Sequence, residues 1–114
     1  MALLGGNVGL FALDNFIHIR RLDKINGKTV ALSGVSLYPD EWRKFQYIMR
    51  DIDRLVSHRI WQLSKRACVW KNPDGRAVFC ITTDGGGIDD YDERVINLHP
   101  DEWKTLLSVA HTIG

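Results

Sequence analysis

The sequence predicts an α+β protein made of two tandem units, each with four β-strands followed by one helix. The main observation is a six-residue phrase that occurs twice, as Leu-Tyr-Pro-Asp-Glu-Trp at 37–42 and Leu-His-Pro-Asp-Glu-Trp at 98–103. A short apolar run precedes each copy and a helical pattern follows it. The second observation is that hairpin signals lie upstream of both copies. Together they indicate an internal duplication, with units at 1–59 and 60–114 that are each too small to be stable alone and therefore share one core.

The repeated phrase has the composition of a strand-to-helix junction. Pro39 and Pro100 suit the first helical position, because the N–H that proline lacks would have no partner there and its φ is preset. The Asp-Glu pair after each proline places carboxylates in the first turn, where they favour the helix dipole. Trp42 and Trp103 are then the first large apolar residues of the two helices.

The strands are predicted from apolar runs bounded by turn signals. Asn26-Gly27 and Asp74-Gly75 are strong hairpin signals, since these residues tolerate positive φ. We match the turn at 25–28 with the turn at 72–76 as equivalent parts of the two units. The predicted strands are 8–13, 16–22, 29–32 and 34–37 in the first unit, and 60–65, 66–71, 77–82 and 94–98 in the second.

Both helices carry an apolar stripe with helical spacing. The first helix is predicted over about 39–58 and the second over about 100–112. A four-stranded sheet is too small to cover the whole of the first stripe, so we expect the distal part, 52–56, to pack against the second helix in an antiparallel arrangement. The stripe of the first helix consists of Trp42, Phe45, Ile48, Met49, Ile52, Leu55 and Val56.

Both faces of the second hairpin are apolar, although a sheet under one helix needs only one buried face. Ala67, Val69, Phe79 and Ile81 fall on one face, and Cys68, Trp70, Val78 and Cys80 fall on the other. The other half, another chain or a stacked ligand is expected to cover the second face. Trp70 then packs in a core or interface, or it stacks on a base. A three-residue turn at 73–75 places Cys68 opposite Cys80, and we expect both thiols to stay reduced.

Composition and motifs exclude several classes. The chain of 114 residues has a formal net charge of +1, so any nucleic-acid binding must come from charge segregation and not from a basic excess. No run approaches the length of a membrane span, and we expect an intracellular protein without a membrane partner. Catalytic, metal-binding and cofactor motifs are absent, so we predict no enzyme, no metal and no cofactor. Residues 84–93 are acidic and rich in Gly, without calcium-loop or phosphate-loop spacing, and read as a solvated loop inserted in the second unit.

The pattern resembles the transcriptional coactivators called positive cofactor four, with their bacterial and phage relatives. The residues that carry the resemblance are a basic strand at 66–71, the turn Asp74-Gly75-Arg76, and the junction Gly34-Val35-Ser36-Leu37-Tyr38-Pro39-Asp40-Glu41-Trp42. Members of this family dimerise through their helices and bind single-stranded DNA on curved sheets. The resemblance therefore implies an intramolecular pseudo-dimer with the same fold, arranged as in the Whirly proteins.

The resemblance also implies positions for binding residues. By position, the basic turn residue becomes Lys28 in the first unit and Arg76 in the second, and the basic strand residues are Arg20, Arg21, Lys65, Arg66 and Lys71. The positions where the family has base-stacking aromatics hold other residues, and Phe16 and Trp70 are the aromatics closest to them.

Two functions follow as hypotheses. The first is a single-stranded DNA or RNA binding module of transcription or replication, with transcription or replication proteins and further copies of the chain as possible partners. Its basic residues fall in or beside strands, whereas the acids concentrate at helix starts and in 84–93. The alternative is a protein-interaction or assembly module that keeps the fold without the nucleic acid. The predicted binding residues are Arg20, Arg21, Lys24, Lys28, Lys65, Arg66, Trp70, Lys71 and Arg76.

Overall fold

A computed structural model describes residues 2–54, 59–81 and 95–113, and it is an α+β structure with two four-stranded antiparallel sheets and two helices. In each sheet the strands are neighbours in the order in which they occur along the chain. The first half contains β1 (Ala2–Leu3), β2 (Val8–Leu13), β3 (Phe16–Ile25), β4 (Lys28–Leu37) and α1 (Pro39–Arg54). The second half contains β5 (Trp61–Gln62), β6 (Ala67–Lys71), β7 (Ala77–Ile81), β8 (Val95–Leu98) and α2 (Pro100–Val109), which one 3₁₀ turn, Ala110–Thr112, extends.

The first sheet differs from the prediction in its strand boundaries. The predicted strands 29–32 and 34–37 form the single strand β4, and the fourth strand of the sheet is Ala2–Leu3. Gly34 suggested a break, but it lies within β4 opposite Arg20, beside an irregularity in the ladder. A Cβ at this position would lie 2.2 Å from the carbonyl oxygen of Ile19. Gly34 therefore permits a close approach of two strands and does not end one.

The match between the two turns was wrong for a related reason. Because each sheet follows chain order, the turn 72–76 between β6 and β7 has the position of the β2–β3 turn in the first sheet, not of the turn at 25–28. The β2–β3 turn consists of Asp14 and Asn15, which both have positive φ, as in a tight two-residue hairpin. The predicted hairpin at Asn26-Gly27 is confirmed as the connection between β3 and β4.

One buried cluster contains residues of both sheets and both helices. Trp42 and Trp103 are each 1% exposed, and the ring of Phe45 contacts both Phe79 and Trp103, with centroids 5.1 and 5.9 Å apart. The repeated phrases at 37–42 and 98–103 are confirmed as strand-to-helix junctions, and each helix begins at the proline of its phrase.

The start of each helix contacts the end of the other. Trp42 Nε1 donates a hydrogen bond to the carbonyl of Ile113, which follows α2, at 2.8 Å. Trp103 Nε1 donates to Oδ1 of Asp53 near the end of α1, at 2.9 Å. Gln46 adds a bond to the carbonyl of Ala110. Contacts between the start of each helix and the end of the other are those expected when two helices run antiparallel.

Four predictions concern residues outside the described ranges: the end of the first helix at 55–58, the last residue of the strand 77–82, the acidic segment 84–93, and the first residue of the strand 94–98. Within the described ranges, neither helix is long and apolar enough to span a membrane.

Candidate nucleic-acid interface

The face of the first sheet that points away from α1 is partly open to solvent, and we call it the outer face. Along β3 the burial alternates: Ile17 and Ile19 are buried, whereas Phe16, His18 and Arg20 are half-buried. Since successive side chains of a strand point to opposite sides, the last three lie together on the outer face.

Four rings form a continuous row on the outer face. Phe11 and His18 stack with centroids 4.9 Å apart and an interplanar angle of 20°. Phe16 lies 6.0 Å from His18 and 5.0 Å from Tyr38, which is 46% exposed. At the end of the row, the guanidinium of Arg66 lies over the ring of Tyr38 at 4.3 Å. This ring row provides flat, partly exposed apolar surface of the kind on which bases stack.

Arg20 is held in place beside the ring row. Its Nη2 donates to Ser36 Oγ at 2.8 Å and its Nη1 donates to the carbonyl of Leu32 at 3.0 Å. Ser36 Oγ in turn lies 2.8 Å from His18 Nδ1. In the part of the chain that the structure describes, no carboxylate lies within ion-pair distance of Arg20. Its charge is therefore positioned and available to an anion.

A groove of about 360 Å³ joins these groups to the second half of the chain. Its volume is at the lower end of the range of small-ligand sites, and it is open to solvent. Arg20 and Arg66 both line it, so two guanidinium groups share the groove with aromatic carbon. It is lined by Phe16, Arg20, Gly34, Ser36, Tyr38, Arg66 and Ile81.

Arg66 also has a structural partner in the first half. Its Nη2 donates to Glu41 Oε1 at 2.7 Å and to the carbonyl of Ser36 at 3.0 Å. Glu41 is 1% exposed and also accepts from the backbone N–H of Tyr38. Arg66 thus neutralises a buried carboxylate at the start of α1, and part of its charge is used within the protein.

Arg21 does the same for the second half. Its Nη1 lies 3.0 Å from Glu102 Oε2, and its Nη2 donates to the carbonyl of Asn97 at 2.6 Å. Glu102 is 5% exposed and accepts from the backbone N–H of His99, just as Glu41 accepts from Tyr38. Arg21 therefore lies at the contact between the two halves and not in the groove.

The remaining predicted cations are dispersed. Lys71 donates to Asp53 Oδ1 at 3.1 Å, and Arg76 lies 3.6 Å from Asp74 in its own turn. The structure leaves Lys24, Lys28 and Lys65 exposed, without a carboxylate within ion-pair distance among the described residues.

Asp53 is held in its charged form. Burial alone would raise the pKa of Asp53, but hydrogen bonds from Trp103 and Lys71, together with the positive charges of Lys71 and Arg50, outweigh burial and leave that pKa below its ordinary value. Lys71 and Asp53 therefore connect the end of β6 to the end of α1, away from the outer face of the first sheet.

Trp70 is half-buried in β6, opposite Val78 on the second sheet. Cys68 and Cys80 lie on the same face as Trp70. The predicted register, which places Cys68 opposite Cys80, is confirmed, and both thiols are free. The structure brings Trp70 neither into the groove nor into the ring row.

Sequence reasoning identified Arg20, Arg66 and Phe16 but missed Phe11, His18 and Tyr38. One signal was available for His18: Phe16, His18 and Arg20 are spaced by two along one strand, which places them on one face. Tyr38 was considered only as a residue before the helix.

Comparisons of the chain with protein-family models, with curated proteins and with solved structures gave no match. The resemblance to positive cofactor four therefore rests on the residues named for it and on no relative.

Proposed function

We propose that this chain is a single-stranded nucleic-acid-binding module of transcription or replication, which binds through the outer face of its first sheet. The observation that carries the proposal is the placement of Arg20 beside the ring row, at a groove that also contains Arg66. Proteins that bind single strands combine cations that follow the backbone with aromatic rings on which bases stack. Both components are present here within one groove.

The proposal includes an intramolecular pseudo-dimer of two ββββα units. The same strand order in both sheets supports it, as do equivalent local hydrogen bonds: the N–H of Leu4 donates to Val8 and that of Leu63 to Ala67, each at 2.9 Å. The two ion pairs support it further. Each half supplies an arginine to the buried glutamate at the start of the other half's helix. A resemblance to positive cofactor four implies the same arrangement.

The charges indicate how strongly binding should depend on salt. Of the eight predicted cations, Arg21, Arg66, Lys71 and Arg76 have carboxylate partners. Even if the other four all contact phosphates, log K against log salt has a slope no steeper than about −3, since each neutralised phosphate of a single strand contributes about −0.7.

The test is binding of a fluorescent oligo-dT, measured by anisotropy at several salt concentrations from about 50 mM upward, where counterion release makes phosphate contacts visible. The wild-type chain should bind with a slope no steeper than about −3. Phe16→Ala should weaken binding by ~1–3 kcal/mol at unchanged slope if a base stacks on the ring. Lys104→Ala is the matched control, because Lys104 is exposed on α2 and should leave binding unchanged. No binding at the lowest salt concentration would refute this function.

A second function, an assembly module without nucleic acid, is favoured by the face of the second sheet that lies opposite its core-facing residues, which we call the outer face of the second sheet. Half-buried Cys68, Trp70, Cys80 and Val95 share this face with buried Val78. Such a surface suits a protein partner, including a second copy of the chain. Sedimentation of the wild-type chain and of Trp70→Ala separates the two functions. Self-association that is lost in Trp70→Ala, without oligo-dT binding in either protein, would favour assembly.

A further inference from the structure

The two cysteines of the chain face each other on one sheet face, where neither the groove nor the core uses them. Cys68 in β6 is the direct partner of Cys80 in β7. Both are free thiols and both are half-buried, so each is partly accessible to solvent.

The register fixes how far apart the two residues are. In the turn, the N–H of Asn72 donates to the carbonyl of Arg76 at 2.7 Å, which marks a hydrogen-bonded pair. Hydrogen-bonded and non-hydrogen-bonded pairs alternate along an antiparallel ladder, so Cys68 and Cys80, four residues further along each strand, form another hydrogen-bonded pair. The Cα atoms of such pairs are about 5.5 Å apart, within the range of about 4.4–6.8 Å that a disulfide spans.

The environment of Cys68 lowers the reactivity of its thiol. Burial, and secondarily the neighbouring Cys80, raises the pKa of Cys68 to about 11. Cys68 therefore keeps its proton near neutral pH. Because the thiolate and not the thiol is the nucleophile, Cys68 is a slow attacking thiol near neutral pH.

We propose that Cys68 and Cys80 are a thiol-modification site for low-molecular-weight disulfides, at which Cys80 reacts first and Cys68 closes a reversible cross-strand disulfide. In the first step Cys80 loses its proton and attacks one sulfur of oxidised glutathione; a protein–glutathione disulfide forms and one glutathione leaves. In the second step Cys68 loses its proton and attacks Cys80 Sγ, which forms the Cys68–Cys80 bond and releases the second glutathione. The protein dithiol loses two electrons and two protons, and one oxidised glutathione becomes two reduced molecules. This site does not depend on the proposed function.

The experiment incubates the full chain with mixtures of oxidised and reduced glutathione, stops the reaction with acid, alkylates the free thiols and measures intact mass. The wild-type chain should lose two hydrogens and take up no alkyl group when oxidised glutathione dominates. It should return to the doubly alkylated form when reduced glutathione is in excess. Failure to form the bond in oxidised glutathione alone would overturn the proposal. A bond that survives excess reduced glutathione would equally overturn it, because the site would not be reversible.

Two variants test the order of the steps. Cys68→Ser should accumulate one glutathione adduct on Cys80, because the closing thiol is missing. Cys80→Ser should react more slowly than Cys68→Ser, because the burial that raises the pKa of Cys68 remains and keeps its thiolate fraction small. Circular dichroism checks that both variants are folded. Equal rates for the two folded variants would contradict the assignment of Cys80 as the attacking thiol.

Discussion

Arg21 and Glu102 lie 81 positions apart in the sequence, and their Nη1 and Oε2 atoms are 3.0 Å apart in the structure. The ion pair of Arg66 and Glu41 has the corresponding position in the opposite direction, from the second half to the first. Each glutamate is buried at the start of a helix, where an unpaired charge would be costly. The two ion pairs therefore make each half dependent on an arginine of the other.

Arg21→Ala should lower the free energy of unfolding by about 3 kcal/mol, near the lower end for a broken buried pair, because Arg21 itself is partly exposed. Glu102→Gln should lower the free energy of unfolding by less, because it removes the buried negative charge itself and leaves no buried carboxylate without a partner. Urea unfolding at neutral pH measures both. Lys104→Ala, which removes an exposed cation on α2, is the control. If Arg21→Ala lowers the free energy of unfolding by no more than this control, the structural role of Arg21 is contradicted.

Trp42→Ala should cost roughly 3–5 kcal/mol, because it removes a buried aromatic side chain from the shared core. Trp42→Phe keeps most of the ring but loses the hydrogen bond to the carbonyl of Ile113, so it should cost about 1–2 kcal/mol. The pair of variants separates packing from hydrogen bonding. Equal stability of Trp42→Phe and the wild type in urea unfolding would show that the contact between the ends of the helices contributes nothing.

The lowered pKa of Asp53 predicts a loss of stability in acid. A carboxyl whose pKa is lower in the folded state than in the unfolded state stabilises the fold above its unfolded value, and this contribution disappears as the pH falls through the folded value. The pKa of an unfolded aspartate is near 3.8, so the loss should begin near pH 4 and continue below it. Asp53→Asn should lack this part of the pH dependence, whereas exposed Asp51→Asn should retain it. Unfolding free energies measured from pH 6 to pH 2, across the titration range of carboxylates, decide the matter.

Arg20 and Arg66 should differ in how they affect binding. Arg20→Ala should lower the affinity for oligo-dT and flatten the salt slope by about 0.7, since the charge of Arg20 has no carboxylate partner among the described residues. Arg66→Ala leaves Glu41 buried without its partner and should mainly destabilise the fold. Anisotropy titrations and urea unfolding of both variants measure the two effects. A larger change of slope for Arg66→Ala than for Arg20→Ala would contradict this division.

Gly34→Ala should destabilise the first sheet severely, by more than about 3 kcal/mol, which is above the usual range of single substitutions. The new Cβ would lie 2.2 Å from the carbonyl oxygen of Ile19 and 2.7 Å from Cα of Arg20, and both are backbone atoms that cannot rotate away. Gly27→Ala is the control, because its Cβ would meet nothing within 4 Å and only its positive φ opposes the change. Thermal unfolding of the two variants should show a far larger shift for Gly34→Ala.

The repeated phrase was enough to predict the α+β class, both helix starts and the burial of Trp42 and Trp103. Proline position, first-turn acids and apolar spacing are local properties that a sequence displays directly. The strand boundaries of the first sheet depend on the opposite strand as well as on the local sequence. A glycine within a strand and a glycine that ends one look alike until the opposite strand is known, which is why Gly34 was misread.

The binding residues were predicted only in part, for the same physical reason. Arg20 could be found because it belongs to a strand with basic neighbours. The roles of Arg21 and Arg66 depend on glutamates that the fold brings to them from the other half, and sequence reasoning had assigned those acids only to local roles at the helix starts. The contact of Tyr38 with Phe16 and Arg66 likewise joins three segments that no spacing rule connects.

The outer faces of the two sheets carry different side chains, and both sheets belong to one polypeptide. In an assembly of two identical chains, every substitution appears twice, and a change that suits one face is imposed on the other. A single chain is free of this constraint. Phe16, His18 and Arg20 on one sheet, and Cys68, Trp70 and Cys80 on the other, can each be altered in the laboratory or in evolution without a matching change on the opposite sheet.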